Sequence, residues 1–183
     1  MNVERLAIPD VLLLTPRRFL DPRGFFSETW NQARFAEAGI DAAFVQDNHA
    51  VSNVRGVLRG LHCQIGTNAQ SKLVRVVKGA IWDVAVDARR GSATFGKQVG
   101  VELSAENWHQ LWIPAGFLHG YCTLTQDTEV IYKVTAPWDR DAERGVIWND
   151  PDLKVAWPIA DQEVILSDKD QMLPRFRDCD AWF

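Results

Sequence analysis

The sequence predicts a mainly β protein, a sandwich or barrel, with one short N-terminal helix and an irregular C-terminal cover. From about residue 44 onward, short stretches rich in β-branched and apolar residues follow one another closely. Turn-forming pairs such as Lys78-Gly79 and Arg90-Gly91 separate these stretches. Many short strands at a spacing of roughly 8–12 residues are typical of sandwiches and barrels.

The elements follow in order along the chain. Residues 8–14 predict a short apolar strand, and a turn follows at residues 21–24. A helix is predicted over residues 30–38, with Thr29 and Gln32 as a capping box and Gly39 as the left-handed stop. Further strands are predicted over residues 72–77, 80–87, 95–103, 110–113, 120–124 and 129–135.

Length and composition limit the classes of protein. A chain of 183 residues is expected to form a single domain over residues 1–183, with the barrel core at about 44–150. Since no apolar run approaches the roughly 20 residues of a membrane helix, no membrane partner is expected. A net charge of -4 argues against nucleic-acid binding. An N-terminus without a signal pattern and an odd number of scattered cysteines predict a cytoplasmic protein.

The two-residue period of a strand predicts which side chains point inward. Lys72 shares a face with the valines of its strand, and Tyr132 does the same on residues 129–135. Arg75, Glu129 and Lys133 lie on the opposite faces, which are expected to face solvent. An ammonium and a phenol among apolar neighbours need polar partners, and a barrel interior that holds a ligand would supply them.

Three of these polar groups suit proton transfer beside a carbonyl. His62 is the candidate base, with Asp168 as a possible orienting carboxylate. Lys72 would stabilise the enolate, and Tyr132 would return a proton on the opposite face. From spacing alone, His62 could equally be a structural hydrogen-bonder, Tyr132 a core residue and Lys72 a surface lysine.

Arg59 and His62 lie three residues apart in a strand-like stretch. Strict alternation would place their side chains on opposite faces. A bulge at Gly60 would bring both side chains to one side.

The segment from Pro114 to His119 resembles the second cupin motif, which places a histidine at the start of a strand. The first cupin motif needs two histidines spaced by one and a glutamate, whereas this chain has His62-Cys63-Gln64. Because two lone histidines fall short of the ligands that a transition metal needs, we expect a metal-free, cupin-like barrel.

Ordered motifs over residues 21–174 resemble the dTDP-4-dehydrorhamnose 3,5-epimerase family. Any one of these motifs alone would be a weak signal, but their number and order make the resemblance specific. They are residues 23–28, 46–49, 59–64, 72–79, 83–89, 110–120, 132–133, 147–150 and 166–170.

The resemblance implies a jelly-roll homodimer that exchanges N-terminal strands, uses no cofactor and holds a dTDP-sugar inside the barrel. It also implies that His62 is the base, Asp168 its dyad partner, Tyr132 the acid and Lys72 the stabiliser of the enolate. The implied substrate-binding residues are Arg23, Phe26, Glu28, Gln46, Asn48, Ser52, Arg59, His119, Trp138, Glu143 and Lys169. The first three would bind the nucleotide from the partner subunit.

The expected reaction is inversion of carbons 3 and/or 5 of dTDP-4-dehydro-6-deoxy-D-glucose, for dTDP-L-rhamnose or a related deoxysugar. Trp138 stands where the family commonly has tyrosine, and Cys63 where an aromatic residue is frequent. The alternatives are a single-carbon epimerase of an antibiotic-sugar pathway, a ketoisomerase, a metal cupin oxygenase and a non-catalytic sugar-nucleotide binding module.

Overall fold

Two antiparallel sheets face each other in a jelly-roll arrangement in the computed structural model, which describes residues 1–179 and 182–183. The strands are β1 Asn2–Arg5, β2 Leu12–Thr15, β3 Arg18–Asp21, β4 Gly24–Ser27, β5 Gln46–Ser52, β6 Leu58–Gln64, β7 Lys72–Lys78, β8 Ala80–Asp87, β9 Gln98–Ser104, β10 Gln110–Ile113, β11 Phe117–Thr123, β12 Thr128–Val134 and β13 Glu143–Gly145. The helices are α1 Gln32–Glu37 and α2 Asp168–Gln171, with 3₁₀ turns at Gly66–Asn68, Asp161–Glu163 and Phe176–Asp178.

From β5 to β13 the chain passes repeatedly from one sheet to the other, although β8 and β9 are neighbours in the same sheet. The first sheet has the order β1-β2-β10-β7-β12-β5, and the second has the order β13-β6-β11-β8-β9. Strands β3 and β4 form a separate hairpin. The mainly β, cupin-type prediction is therefore confirmed.

The core lies between the two sheets, where the predicted inward faces meet. Val74 and Val76 of β7 and Val130 of β12 pack against Ile81 and Ala85 of β8, and all five are at most 2% exposed. The predicted inward direction of Lys72 and Tyr132 follows from the same alternation and is confirmed.

The C-terminal segment covers the outer face of the second sheet. Trp157 and Phe176 pack there against Leu61, Val84 and Leu118. The cover was predicted over one end of the barrel, but its apolar residues extend across this face because β8 and β11 carry apolar side chains on both sides.

Strands β8 and β10 have the predicted bounds, whereas other elements begin or end elsewhere. The first apolar strand was predicted to begin at Ile8, but residues 6–11 form a turn closed by the Leu6 amide and the Val11 carbonyl. The helix is shorter than predicted, because Asn31 and not Thr29 caps it, and its side chain accepts from the Arg34 amide at 3.2 Å. Gly39 has φ +89, as the predicted left-handed stop requires.

The bulge predicted at Gly60 is present. His62 pairs with His119 and Arg59 with Tyr121, so three steps along β6 match two steps along β11. Arg59 and His62 consequently face the same cavity. Gly60 has φ +120, and a Cβ there would lie 2.6 Å from the Gly120 Cα and 2.7 Å from the His119 carbonyl oxygen.

Replacing Gly60 with alanine is expected to lower the free energy of unfolding by about 2–4 kcal/mol, because the new methyl group clashes with backbone and φ is strained. Gly66→Ala is the matched control, since Gly66 has φ +63 and open space around its would-be Cβ. Gly66→Ala should lower the free energy of unfolding by about 1 kcal/mol. Equal urea midpoints for the two variants would contradict the clash.

Along residues 1–179 and 182–183, the structure contains no helix long and apolar enough to cross a membrane.

Candidate active site

A cavity of about 420 Å³ opens between the two sheets. Most of the predicted catalytic groups line it, together with a cationic side chain from each of β6 and α2. The lining residues are Ala50, Val57, Leu58, Arg59, His62, Lys72, His119, Tyr121, Tyr132, Ile165, Leu166, Ser167, Lys169 and Asp170.

His62 on β6 is paired with a carboxylate from the C-terminal segment. Its Nε2 lies 2.6 Å from Oδ1 of Asp170, which is 4% exposed. Burial acts to raise the pKa of Asp170, but hydrogen bonds from His62, the Gly60 amide and Ser167 outweigh it and lower the pKa. Since an ionised carboxylate only accepts, Nε2 carries the hydrogen and Nδ1 keeps the lone pair. Nδ1 is therefore the atom that can take a proton.

The prediction that Asp168 orients His62 is wrong. Asp168 and Asp170 both belong to α2, but Asp168 is exposed, whereas Asp170 is buried and contacts His62. Residues two apart on a helix point in nearly opposite directions, since each residue turns the helix by about 100°. Ser167 caps this short helix and accepts from the Asp170 amide at 3.2 Å, which fixes the side that faces the cavity.

A second imidazole–carboxylate pair lies beside the first. His119 Nε2 lies 2.6 Å from Oδ1 of Asp83, and its Nδ1 lies 3.5 Å from Nζ of Lys72. Burial lowers the pKa of Lys72. Burial also lowers the pKa of His119, helped by the Lys72 charge and opposed by Asp83. The Nδ1 lone pair of His119 thus faces the ammonium and holds it at the cavity wall.

Tyr132 projects from β12 of the first sheet, while His62 projects from β6 of the second. Both side chains line the cavity, so the imidazole and the phenol approach it from facing sheets. Burial raises the pKa of Tyr132, and the nearby Arg59 charge opposes the rise. The phenol therefore stays protonated and can donate.

An adjoining cavity of about 330 Å³ shares His62, Lys72 and Tyr132 with the first. Several predicted substrate-binding residues line it, and hydrogen bonds hold them in place: Gln46 donates to Asn48 at 2.8 Å and accepts from the Trp138 amide at 3.1 Å. The predicted residues in its wall are Gln46, Asn48, Trp138 and Glu143. Glu143 also pairs with Lys169 at 2.5 Å, which joins β13 to α2 at the rim.

Four predicted substrate-binding residues lie outside both cavities. Arg23 and Phe26 are exposed on the β3–β4 hairpin, where Arg23 pairs with Asp21 at 2.6 Å. Glu28 follows this hairpin and pairs with Arg34. Ser52 is buried at the end of β5, opposite Thr128. A role for the first three in the site needs another subunit, because they lie on an arm and not in the barrel.

Sequence reasoning missed two groups at the cavity, Asp170 and Tyr121. Ser167 three residues before Asp170 is the capping pattern that could have indicated α2. Nothing in the sequence marks Tyr121, which is the residue after a glycine in an apolar strand.

The residues do not fit a metal centre. Within the described part of the chain, no three His, Cys, Asp or Glu side chains group so as to hold an ion. His119 directs Nε2 to Asp83 and Nδ1 to the Lys72 ammonium, so of the two cavity histidines only His62 keeps a ring nitrogen for a further ligand. Cys63 in the adjoining cavity has its pKa raised to about 12 by burial, so its thiol stays protonated.

An imidazole oriented by a carboxylate, a phenol on the facing sheet and a buried ammonium define an acid–base site. Such a site can remove a proton beside a carbonyl and return one, which is the chemistry of an isomerase. A family model described as dTDP-4-dehydrorhamnose 3,5-epimerase matches residues 5–178. The chain therefore belongs to the dTDP-4-dehydrorhamnose 3,5-epimerase family.

Known relatives agree with this assignment. The dTDP-4-dehydrorhamnose 3,5-epimerase of Pseudomonas aeruginosa is 55% identical over 183 residues, which are 100% of this chain and 99% of that protein. A crystal structure of the Elizabethkingia anophelis enzyme has a TM-score of 0.93 and 44% identity, and covers 97% of each chain. The Legionella pneumophila 3,5-epimerase, solved in complex with dTDP-4-keto-L-rhamnose, has a TM-score of 0.93 and 42% identity, over 98% of this chain and 95% of that one.

One more distant relative carries a name that specifies a single carbon. The dTDP-4-dehydrorhamnose 3-epimerase of Streptomyces niveus is 34% identical over 99% of this chain and 92% of that protein.

Proposed function

We propose that this chain inverts carbons 3 and 5 of dTDP-4-dehydro-6-deoxy-D-glucose without a cofactor. The observation that carries the proposal is the placement of His62, which is paired with Asp170, and of Tyr132 on facing sheets around one cavity that buried Lys72 also lines. Inversion of a carbon needs a base on one face and an acid on the other, and this arrangement supplies both.

The reaction moves one proton out and one proton in at each carbon. Nδ1 of His62 takes the proton next to the ketone, and the electrons of the broken C–H bond move into an enolate. The Lys72 ammonium stabilises the negative enolate oxygen. Because Lys72 is desolvated, this electrostatic interaction is stronger than it would be in water. The Tyr132 hydroxyl then donates its proton to the opposite face of the carbon and forms the new C–H bond.

Deuterium exchange tests this proposal directly. In heavy water the hydroxyl of Tyr132 carries deuterium, so the substrate should become labelled at both carbon 3 and carbon 5, as followed by proton NMR. Label at one carbon only would make the chain a single-carbon epimerase. The name of the Streptomyces niveus relative describes an enzyme of that kind. Label at neither carbon would refute the proposal.

Replacing Tyr132 with phenylalanine is expected to reduce inversion by about 10²–10⁴-fold. Exchange should fall much less, because His62 can still remove the proton and return solvent deuterium to the same face. The measurement compares the rate of label incorporation with the rate of product formation in one NMR series. Equal losses in both rates would show that Tyr132 is not the acid of the second face.

We further propose a homodimer in which the β3–β4 hairpin reaches the partner's site. Leu20 and Phe26 at this hairpin are 80% and 71% exposed, which suits an apolar arm that binds another surface. Arg23, Phe26 and Glu28 would then contribute to nucleotide binding across the interface. Sedimentation should give twice the 20.7 kDa of the chain, and a monomer mass would refute the exchange.

A cytoplasmic location is part of the same proposal. Cys63 and Cys122 are buried thiols outside any disulfide, and thiols of this kind suit a reducing compartment.

A further inference from the structure

Tyr121 of β11 is a buried tyrosine whose hydroxyl the proposed mechanism does not use. Its side chain is 3% exposed, packs on the core between the sheets and lines the cavity. Its hydroxyl has no hydrogen-bond partner among the residues that the structure describes. A buried hydroxyl without a partner costs free energy in the empty enzyme, so its presence calls for a partner that arrives with the ligand.

The neighbours of Tyr121 place the phenol among groups of the site. Arg59 of β6 and Asp83 of β8 lie directly opposite it in the two adjacent strands, and His119 is two residues earlier on the same face. Asp83 uses Oδ1 for His119 and makes no hydrogen bond with the phenol. Burial raises the pKa of Tyr121, so the phenol keeps its hydrogen and serves as a donor.

The chemistry of the substrate limits which of its groups can accept a hydrogen bond from Tyr121. On the proposed function, the ketone oxygen faces Lys72, and the diphosphate needs cations such as Arg59 and Lys169 at the cavity wall. The hydroxyl at carbon 3 changes sides when that carbon is inverted. The hydroxyl at carbon 2 keeps its configuration throughout, and a donor fixed on a rigid strand suits such a group.

We propose that Tyr121 is a specificity-determining residue that donates a hydrogen bond to the carbon 2 hydroxyl of the sugar. The inference rests on the proposed function and adds a residue to it. Among the described residues the phenol has no hydrogen-bond partner, and in the complex the sugar supplies one. Selection for the hydroxyl follows, because a sugar without it leaves the buried donor unsatisfied.

The test is Tyr121→Phe, which removes one oxygen and keeps the ring in the core. Because the lost hydroxyl has no partner among the residues that the structure describes, the melting temperature without ligand should stay the same or rise by about 1–3 °C. With the proposed substrate, kcat/KM should fall about 5- to 10-fold, mainly through KM. With the 2-deoxy analogue, the kcat/KM values of wild type and variant should differ by less than about 2-fold, because the analogue lacks the carbon 2 hydroxyl that Tyr121 would contact.

Three outcomes would overturn the inference. A lower melting temperature with unchanged KM would make the hydroxyl a structural group, joined to Asp83 through water. A penalty that persists with the 2-deoxy analogue would exclude the carbon 2 hydroxyl, and unchanged kinetics would exclude any contact. The proposed function stands in each case as long as the wild type labels carbons 3 and 5, whereas no labelling by the wild type would overturn both.

Discussion

Replacing His62 with alanine is expected to lower kcat for epimerisation by about 10⁴-fold, at the upper end of general acid–base effects, because one base serves both carbons. The same change should abolish deuterium incorporation, since no carbanion forms without proton removal. The measurement is label incorporation at carbons 3 and 5 in heavy water. Substrate binding should change much less, because Lys72, Arg59 and Tyr132 still line the cavity.

His49→Ala is the control for this prediction. His49 lies on β5 outside the main cavity, where it contacts Glu129 at 3.3 Å, and its side chain is 51% exposed. Its loss should leave exchange within about 2-fold of wild type, as for an exposed surface pair. If His62→Ala kept a tenth or more of the exchange rate, the base would have to be another group, with His119 as the next imidazole in the cavity.

Replacing Asp170 with asparagine is expected to lower kcat by about 10²–10⁴-fold with little change in KM. The carboxylate accepts from Nε2 of His62 and so leaves Nδ1 free to take a proton. An amide can donate to Nε2 instead, which moves the imidazole hydrogen to Nδ1 and removes the base. Steady-state kinetics of the purified variant measures the effect.

Asp168→Asn is the matched control, because it makes the same chemical change two residues earlier in the same helix. Asp168 is exposed, so kcat should stay within about 2-fold of wild type. A loss in Asp168→Asn comparable to that in Asp170→Asn would mean that α2 as a whole, and not the carboxylate at His62, limits the reaction. Circular dichroism spectra of both variants check that the fold is intact.

The choice between these two aspartates shows what the sequence could not predict. His62 and Asp170 are 108 positions apart in the chain, and no local pattern connects them. Helix α2 has four residues, too few for a periodic signal to indicate its buried side. The resemblance identified the segment that carries the partner, and only the packing of α2 against β6 selected Asp170.

The helix cap illustrates the same limit at short range. Thr29 and Asn31 are both of residue types that commonly cap helices. Gln32 follows Thr29 by three positions, and Arg34 follows Asn31 by three positions. The structure begins α1 at Gln32 after Asn31, while Trp30 is held by ring contacts with Phe35 and Phe44 at 4.5 Å each. The contact of Trp30 with Phe44 joins residues 14 positions apart, and a pattern confined to the helix does not reveal it.

Local patterns in the sequence were enough to predict the class of fold, the bounds of β8 and β10, and the inward direction of Lys72 and Tyr132. These features follow from the two-residue period of strands, which can be read from one continuous segment of the sequence. The bulge at Gly60 was also readable, since two functional side chains three residues apart needed one.

The contacts between functional groups could not be predicted from local patterns, because they depend on how the chain packs. The partner of His62, the contact of His119 with Lys72 and Asp83, and the unpartnered hydroxyl of Tyr121 all depend on strands and segments that are distant in sequence. Burial also shifts the pKa values of groups in the cavity: it lowers the pKa of Lys72 and raises that of Tyr132. This desolvation exists only once the two sheets close over the cavity.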